Sequence, residues 1–206
     1  MDYSRTDELA QSFNVFWQKL LGTEKDYYAS MSLGDFVELK KAIGNINNII
    51  TLLVTNRFLQ YLRDEHVIDQ SQFQSMSDAM DKIHANTNGF DVEYNKGATK
   101  VVAEVKCNIP VGVDHFGAAQ KNSIMKDIVH LVKGKTKSSL SESDIKDYFK
   151  FMVLLDYGQV TVSMKRIVKS MNDSFGLAGE EFRVKEYASG ECLQKDIVYV
   201  VYIPLM

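Results

Sequence analysis

Proline is almost absent from this chain, which carries only Pro110 and Pro204 in 206 residues. With no Ser/Gly-rich stretch either, nothing in it reads as an interdomain linker. Its two cysteines, Cys107 and Cys192, form no C-x-x-C spacing, which argues against a disulfide framework or a zinc ribbon and for a buried thiol at Cys107. His66, His84, His115 and His130 form no metal-spaced pair. No apolar run reaches the length of a membrane span, and the opening MDYSRTDEL shows no basic-then-apolar leader, so no membrane association and a cytoplasmic location are expected. A Gly-rich phosphate loop of the G-x-x-x-x-G-K type is missing, which disfavours a P-loop nucleotide hydrolase. The net charge of −3 gives no global attraction to nucleic acid, so any such surface has to be local. The hydrophobic fraction, 45%, is ample for a core.

The front of the chain is helical. Leu9, Phe13, Phe16, Trp17 and Leu20 repeat at the spacing of one helical face between Thr6 and Leu21, and Gly22 closes that helix. Ser32-x-x-Asp35 is a capping-box signal for a second, longer helix. There Phe36, Leu39, Ile43, Ile46, Ile50 and Leu53 alternate steps of three and four, and Phe58, Tyr61 and Leu62 extend the stripe to about Arg63. Two readings fit this stripe: a core helix lying on a sheet, favoured by the Asn-rich opposite face, or a coiled-coil dimer seam. Asp69 is a plausible N-cap for a third helix over Ser71–His84, with Phe73, Met76, Met80 and Ile83 on one face.

From Gly89 to Lys106 the sequence GFDVEYNKGATKVVAEVK reads as a β-hairpin. Alternation puts Asp91 and Glu93 on one face of the first arm and Phe90, Val92 and Tyr94 on the other. Asn95-Lys96-Gly97 supplies the turn. On the second arm Val101, Ala103, Val105 and Cys107 share a face, and Glu104 and Lys106 emerge together from the opposite one. Pairing of the arms brings Asp91 near Glu104. Two such carboxylates are what Mg²⁺ accepts, with water and phosphate filling the remaining positions. Lys106 beside them could hold or deprotonate an attacking water and offset charge on a phosphate.

After a loop containing Pro110, a helix is expected from about Phe116 to Lys133, with Ile124, Met125, Ile128, Val129 and Val132 inward and Gln120, Lys121, Lys126 and Lys133 on its other faces. The apolar run Phe151–Leu155 suits a strand buried on both sides. A helix over Gly158–Met171, a loop at Asn172–Gly179 and strands at Glu181–Tyr187 and Ile197–Ile203 complete an α/β (α+β) chain, a sheet with helices on its faces. Residues 1–82 are expected to be a helical region packing on the core and residues 83–206 that core, one compact unit.

Asp91, twelve residues, then Glu104-Val105-Lys106 on the next strand resembles the active-site motif of the PD-(D/E)XK nuclease superfamily, with Phe90 where the usual proline precedes the aspartate. The element order from Ile83 to Ile203 is similar to that family's; the front of the chain matches no part of it. The resemblance implies a restriction-endonuclease-like mixed central sheet flanked by helices. It further implies a Mg²⁺-dependent DNA endonuclease, with Mn²⁺ able to substitute, in which Asp91 and Glu104 ligate the metal and Lys106 positions or activates the water. Many members also send a Gln or Lys toward the metal from the first turn of the helix that follows, a place held here by Gln120 in Gly117-Ala118-Ala119-Gln120-Lys121. Glu93 is a further candidate ligand. Small residues at that helix start would admit a phosphate backbone, and Lys121, Lys126, Lys133, Lys135 and Lys137 form a basic tract in which Lys121 and Lys126 are candidate DNA contacts. A short chain without a helicase signature looks most like a type II restriction enzyme acting as a homodimer. The alternatives are a repair or recombination nuclease with the same site, and a non-catalytic scaffold serving assembly or partner binding.

Overall fold

The computed structural model describes residues 4–82, 89–96, 99–111, 115–135, 138, 140–179 and 182–205. The expected helix end at His84, the break at 86–88, Gly97 of the turn, Lys137 and Glu181 lie outside them.

Contacts divide the chain into two units, 1–46 and 47–206, so the helices of residues 47–82 group with the sheet. The first unit holds α1 (Arg5–Leu21), α2 (Tyr27–Ser30) and α3 (Leu33–Ile43). Their ends follow from local chemistry. The Ser4 hydroxyl accepts the Asp7 amide, Gly22 closes α1 at φ 66°, and Ser32 and Asp35 cap α3 reciprocally. Phe13, Tyr28 and Phe36 meet edge to tilted, with the Phe13 and Phe36 ring centroids 5.2 Å apart.

The long helix expected from Ser32 to Arg63 is two helices. Gly44 and Asn45 form a turn between α3 and α4 (Ile46–Asp64). The Gly44 amide turns back to the Lys41 carbonyl, and a Cβ at Gly44 would stand 3.2 Å from that oxygen. The apolar stripe is reset as well: Val54, Thr55, Phe58, Leu59 and Leu62 are the buried face of α4, whereas Leu53 is 57% exposed.

In the second unit α4 and α5 (Gln70–Met80) cover one face of a five-stranded mixed sheet, and α6 (Ala118–Lys133) and α8 (Val160–Leu177) pack on the other. A short α7 (Glu142–Ile145) precedes the central strand. The strands are β1 (Val92–Lys96), β2 (Thr99–Lys106), β3 (Phe149–Asp156), β4 (Arg183–Glu186) and β5 (Ile197–Pro204), in the order β1-β2-β3-β5-β4. β1 and β2 are antiparallel, with Val92 opposite Ala103, and all other pairs are parallel. Side-chain parity sorts the core into its two layers. Val101, Ala103 and Val105 of β2 and Phe151, Val153 and Leu155 of β3 face α4 and α5, and Phe58 meets Phe151 at 5.3 Å between centroids. Val102, Met152 and Leu154 face α6 and α8. The core-helix reading of the apolar stripe therefore holds for the part within α4.

Three boundaries differ from expectation. The helix α5 stops at Met80, short of the expected end at His84, because the Asp81 N–H turns back to the Ser77 and Ala79 carbonyls and the chain leaves the helix in a turn. Phe90 precedes β1 and lies in the α6 layer, opposite to Val92 and Tyr94, because the alternation starts only after a bend at Asp91. The helix α8 continues to Leu177 through the expected loop, because Phe175 is buried in the α6 layer. The Asn172 amide, moreover, accepts the Val184 N–H at 2.7 Å and donates to the Val184 carbonyl at 2.8 Å, docking the backbone of β4 onto the helix. Cys107 and Cys192 are both free, and Cys107 is half-buried beside Thr51. No helix among the described residues is long and apolar enough to cross a membrane.

Candidate functional site

The hairpin and the helix that follows it build one cluster of charge. β1 and β2 pair from Val92 opposite Ala103, and Asp91, at the bend just before β1, turns its carboxylate to the Val105 N–H at 2.7 Å, where its charge acts on Glu104. Glu104 points into the α6 layer and is 3% exposed. Its carboxyl binds the Lys135 ammonium, which also donates to the Gly89 carbonyl at 2.7 Å and stands 4.9 Å over the centre of the Phe90 ring. Lys106, two residues along the same face of β2, pairs with Asp127 of α6 at 2.6 Å. His130, one turn further along α6, brings Nδ1 to 3.5 Å from the other Asp127 oxygen.

Burial decides the protonation in this cluster. It pushes the Glu104 carboxyl from 4.5 up to about 8, the nearby charge of Asp91 adds to the rise, and Lys135 offsets only part of it. Asp91 is also raised, by burial first, against the Val105 N–H and the two lysines. Burial pulls Lys106 down, but the bond to Asp127 and the surrounding carboxylates outweigh it and leave its pKa raised. His130 is lowered by burial despite Asp127. Three carboxyl groups face two ammonium groups, and a proton on Glu104 relieves the excess negative charge.

Asp91, Glu104 and Lys106 are thus brought together. Gln120 is engaged elsewhere: its Oε1 accepts the Gly117 N–H at 3.0 Å and its Nε2 donates to the Ile109 carbonyl at 2.9 Å, tying the start of α6 to the preceding loop. Glu93 is exposed on β1, Lys121 and Lys126 are exposed on α6, and Ala118 and Ala119 leave the start of that helix open. The sequence reading did not assign Asp127 or Lys135 to the site. Asp127 carried a signal, because Ile124, Ile128 and Leu131 are the fully buried positions of α6 and an acid at 127 falls between them. Lys135 carried none beyond its place in the basic tract, since its partners lie some thirty and forty-six residues away along the chain.

Among the described residues no three His, Cys, Asp or Glu converge as a metal-binding group. A cation here would have Asp91 and Glu104 as its protein ligands. The donor set suits a hard divalent ion: carboxylate oxygens, mutually repelling and largely buried, whose repulsion such an ion would relieve. No protein-family model matches the chain, and no curated protein or solved structure is significantly similar to it.

Proposed function

We propose that the chain is a Mg²⁺-dependent DNA endonuclease of restriction-endonuclease-like fold. The observation that carries this reading is the juxtaposition of Asp91, at the bend before β1, with Glu104 of β2, Lys106 standing two residues from Glu104 on the same face. The course of the chain supports it: an antiparallel pair bearing the acids, a crossover helix α6, and a central strand β3 parallel to β2.

In this reading Asp91 and Glu104 would hold a Mg²⁺ ion, which when bound would supply Lewis-acid chemistry toward the phosphoryl oxygen and the attacking water. The Val105 N–H fixes the Asp91 carboxylate, and β2, paired on both sides, fixes Glu104. Lys106, ion-paired to Asp127, enters the reaction as an ammonium. It acts as a donor that holds the water or the phosphate and offsets negative charge as the bond to the incoming oxygen forms, rather than as the base. Lys121, Lys126 and the open start of α6 offer the strand a phosphate-tracking edge. Two single-site subunits cutting opposite strands make a homodimer the working assembly, in restriction or in repair and recombination.

One observation favours a second reading. Both lysines in the cluster are already paired with acids, an arrangement that also serves a non-catalytic scaffold. The test is incubation of purified protein with supercoiled and linear DNA in Mg²⁺, Mn²⁺ or EDTA, beside Glu104→Ala and Lys106→Ala. Metal-dependent cutting lost in both variants is expected. Folded protein that leaves varied DNA intact with either metal supports the scaffold.

A further inference from the structure

The ammonium of Lys135 sits in a cage of the kind a metal ion uses. It is bound by the Glu104 carboxyl and the Gly89 carbonyl, capped by the face of Phe90, and attracted by the Asp91 carboxylate, with its side chain 18% exposed. Oxygen donors at short range and a second carboxylate nearby are what a divalent ion would take from the protein here. An ammonium and a divalent ion cannot share Glu104 without strong repulsion at this burial.

We propose that Lys135 is an internal cation that occupies the place of the divalent ion in the resting protein and is exchanged for it. The proposal rests on the reading that Asp91 and Glu104 hold such an ion. Lys135 follows Gly134, which ends α6 at φ 82° and whose added Cβ would meet the Leu140 carbonyl at 3.0 Å, so the backbone that aims the lysine is itself held in place. Exchange is then a movement of the side chain. The ion enters between the two carboxyl groups, Glu104 releases its proton to solvent, the ammonium leaves Glu104 and Gly89, and its charge becomes available to the phosphate that accompanies the ion. The site resists cations until one binds strongly enough to displace the lysine, which couples occupancy to the arrival of an anionic substrate.

The test is calorimetric titration of the full chain with Mn²⁺ alone, for the wild type, Lys135→Met and Glu104→Gln. Removing the competing cation is expected to tighten Mn²⁺ binding by about tenfold in Lys135→Met, and Glu104→Gln is expected to abolish binding. Binding by the wild type that is equal or weaker in Lys135→Met would overturn the exchange while leaving the ion site standing. Absence of binding by both would overturn the ion site and the exchange with it. Should Lys135→Met not fold, ¹⁵N-lysine NMR of the wild type decides the matter without a variant. The Lys135 ammonium resonance is expected to lose its exchange protection at saturating Mg²⁺, and a resonance unchanged by bound Mg²⁺ would refute the exchange.

Discussion

Replacing Glu104 by Gln is expected to stabilise the metal-free protein, the opposite of what removing one partner of an ordinary salt bridge does. The folded-state pKa is raised from 4.5 to about 8 by burial and by Asp91, with Lys135 insufficient to reverse it. A carboxyl raised in this way contributes fully below pH 4.5, and that contribution is lost progressively as pH climbs toward 8. At pH 7 folding requires Glu104 to take up a proton that the unfolded chain lacks, at a cost of about 3 kcal/mol. The substituted amide needs no proton and keeps a carbonyl oxygen for Lys135. Urea unfolding in EDTA should therefore show the variant and the wild type converging near pH 4.5, the variant gaining by about 1.4 kcal/mol per pH unit above that, and the difference levelling off above pH 8. A variant less stable than wild type at pH 7, by an amount that does not change with pH, would refute the reasoning and restore Glu104–Lys135 as a conventional stabilising pair.

Asp127→Asn removes the carboxylate charge that does most to hold Lys106 up and leaves only Glu104 and Asp91 to oppose burial, so Lys106 should titrate at lower pH in the variant by ¹⁵N-lysine NMR; an unmoved titration would show that Asp127 does not control it. Lys150 on β3 is fully buried, donates to the Tyr148 and Lys195 carbonyls, and is lowered from 10.5 to about 8, chiefly by burial. Because the folded state binds the proton less well, its penalty is complete below pH 8 and is relieved up to 10.5, so wild-type stability should gain at most about 1.4 kcal/mol per pH unit from this group across that window. Lys150→Met should lack that gain, and a slope that survives the substitution would assign it to another group. Asn172→Ala strips the Val184 N–H and carbonyl of their α8 partner and should cost about 1–3 kcal/mol in urea unfolding; a loss below about 0.5 kcal/mol would mean water replaces the amide.

The sheet was legible because its strands obey parity: β2 alternates Val101, Ala103 and Val105 against Val102, Glu104 and Lys106, and the two sets face different helices. The unbroken run in β3 followed from its central position with helices on both faces. Parity fails at Phe90, since it holds only once the chain is extended and the bend at Asp91 precedes that point. Helical periodicity ran through Gly44 because the apolar residues keep steps of three and four in the sequence although the chain turns there, and it stopped short in α8 because Asn172, Asp173 and Ser174 are polar. Only the tertiary partner Val184 explains Asn172 inside a helix. Within the site, Asp91, Glu104 and Lys106 are local in the hairpin and readable from spacing. Asp127 and Lys135 join it through the packing of α6, and Gln120 shows the converse, a residue whose position suggested the site and whose amide serves the backbone.

Conversion of supercoiled plasmid in Mg²⁺ by the wild type and by Asp91→Asn tests the central claim most directly. The asparagine retains an oxygen for the Val105 N–H, so the hairpin stays intact while the carboxylate charge is lost. Cutting by the wild type, abolished by EDTA and reduced at least about a hundredfold in the folded variant, is the result expected of a carboxylate that holds the ion. Equal cutting by both proteins, or none by either, would contradict it.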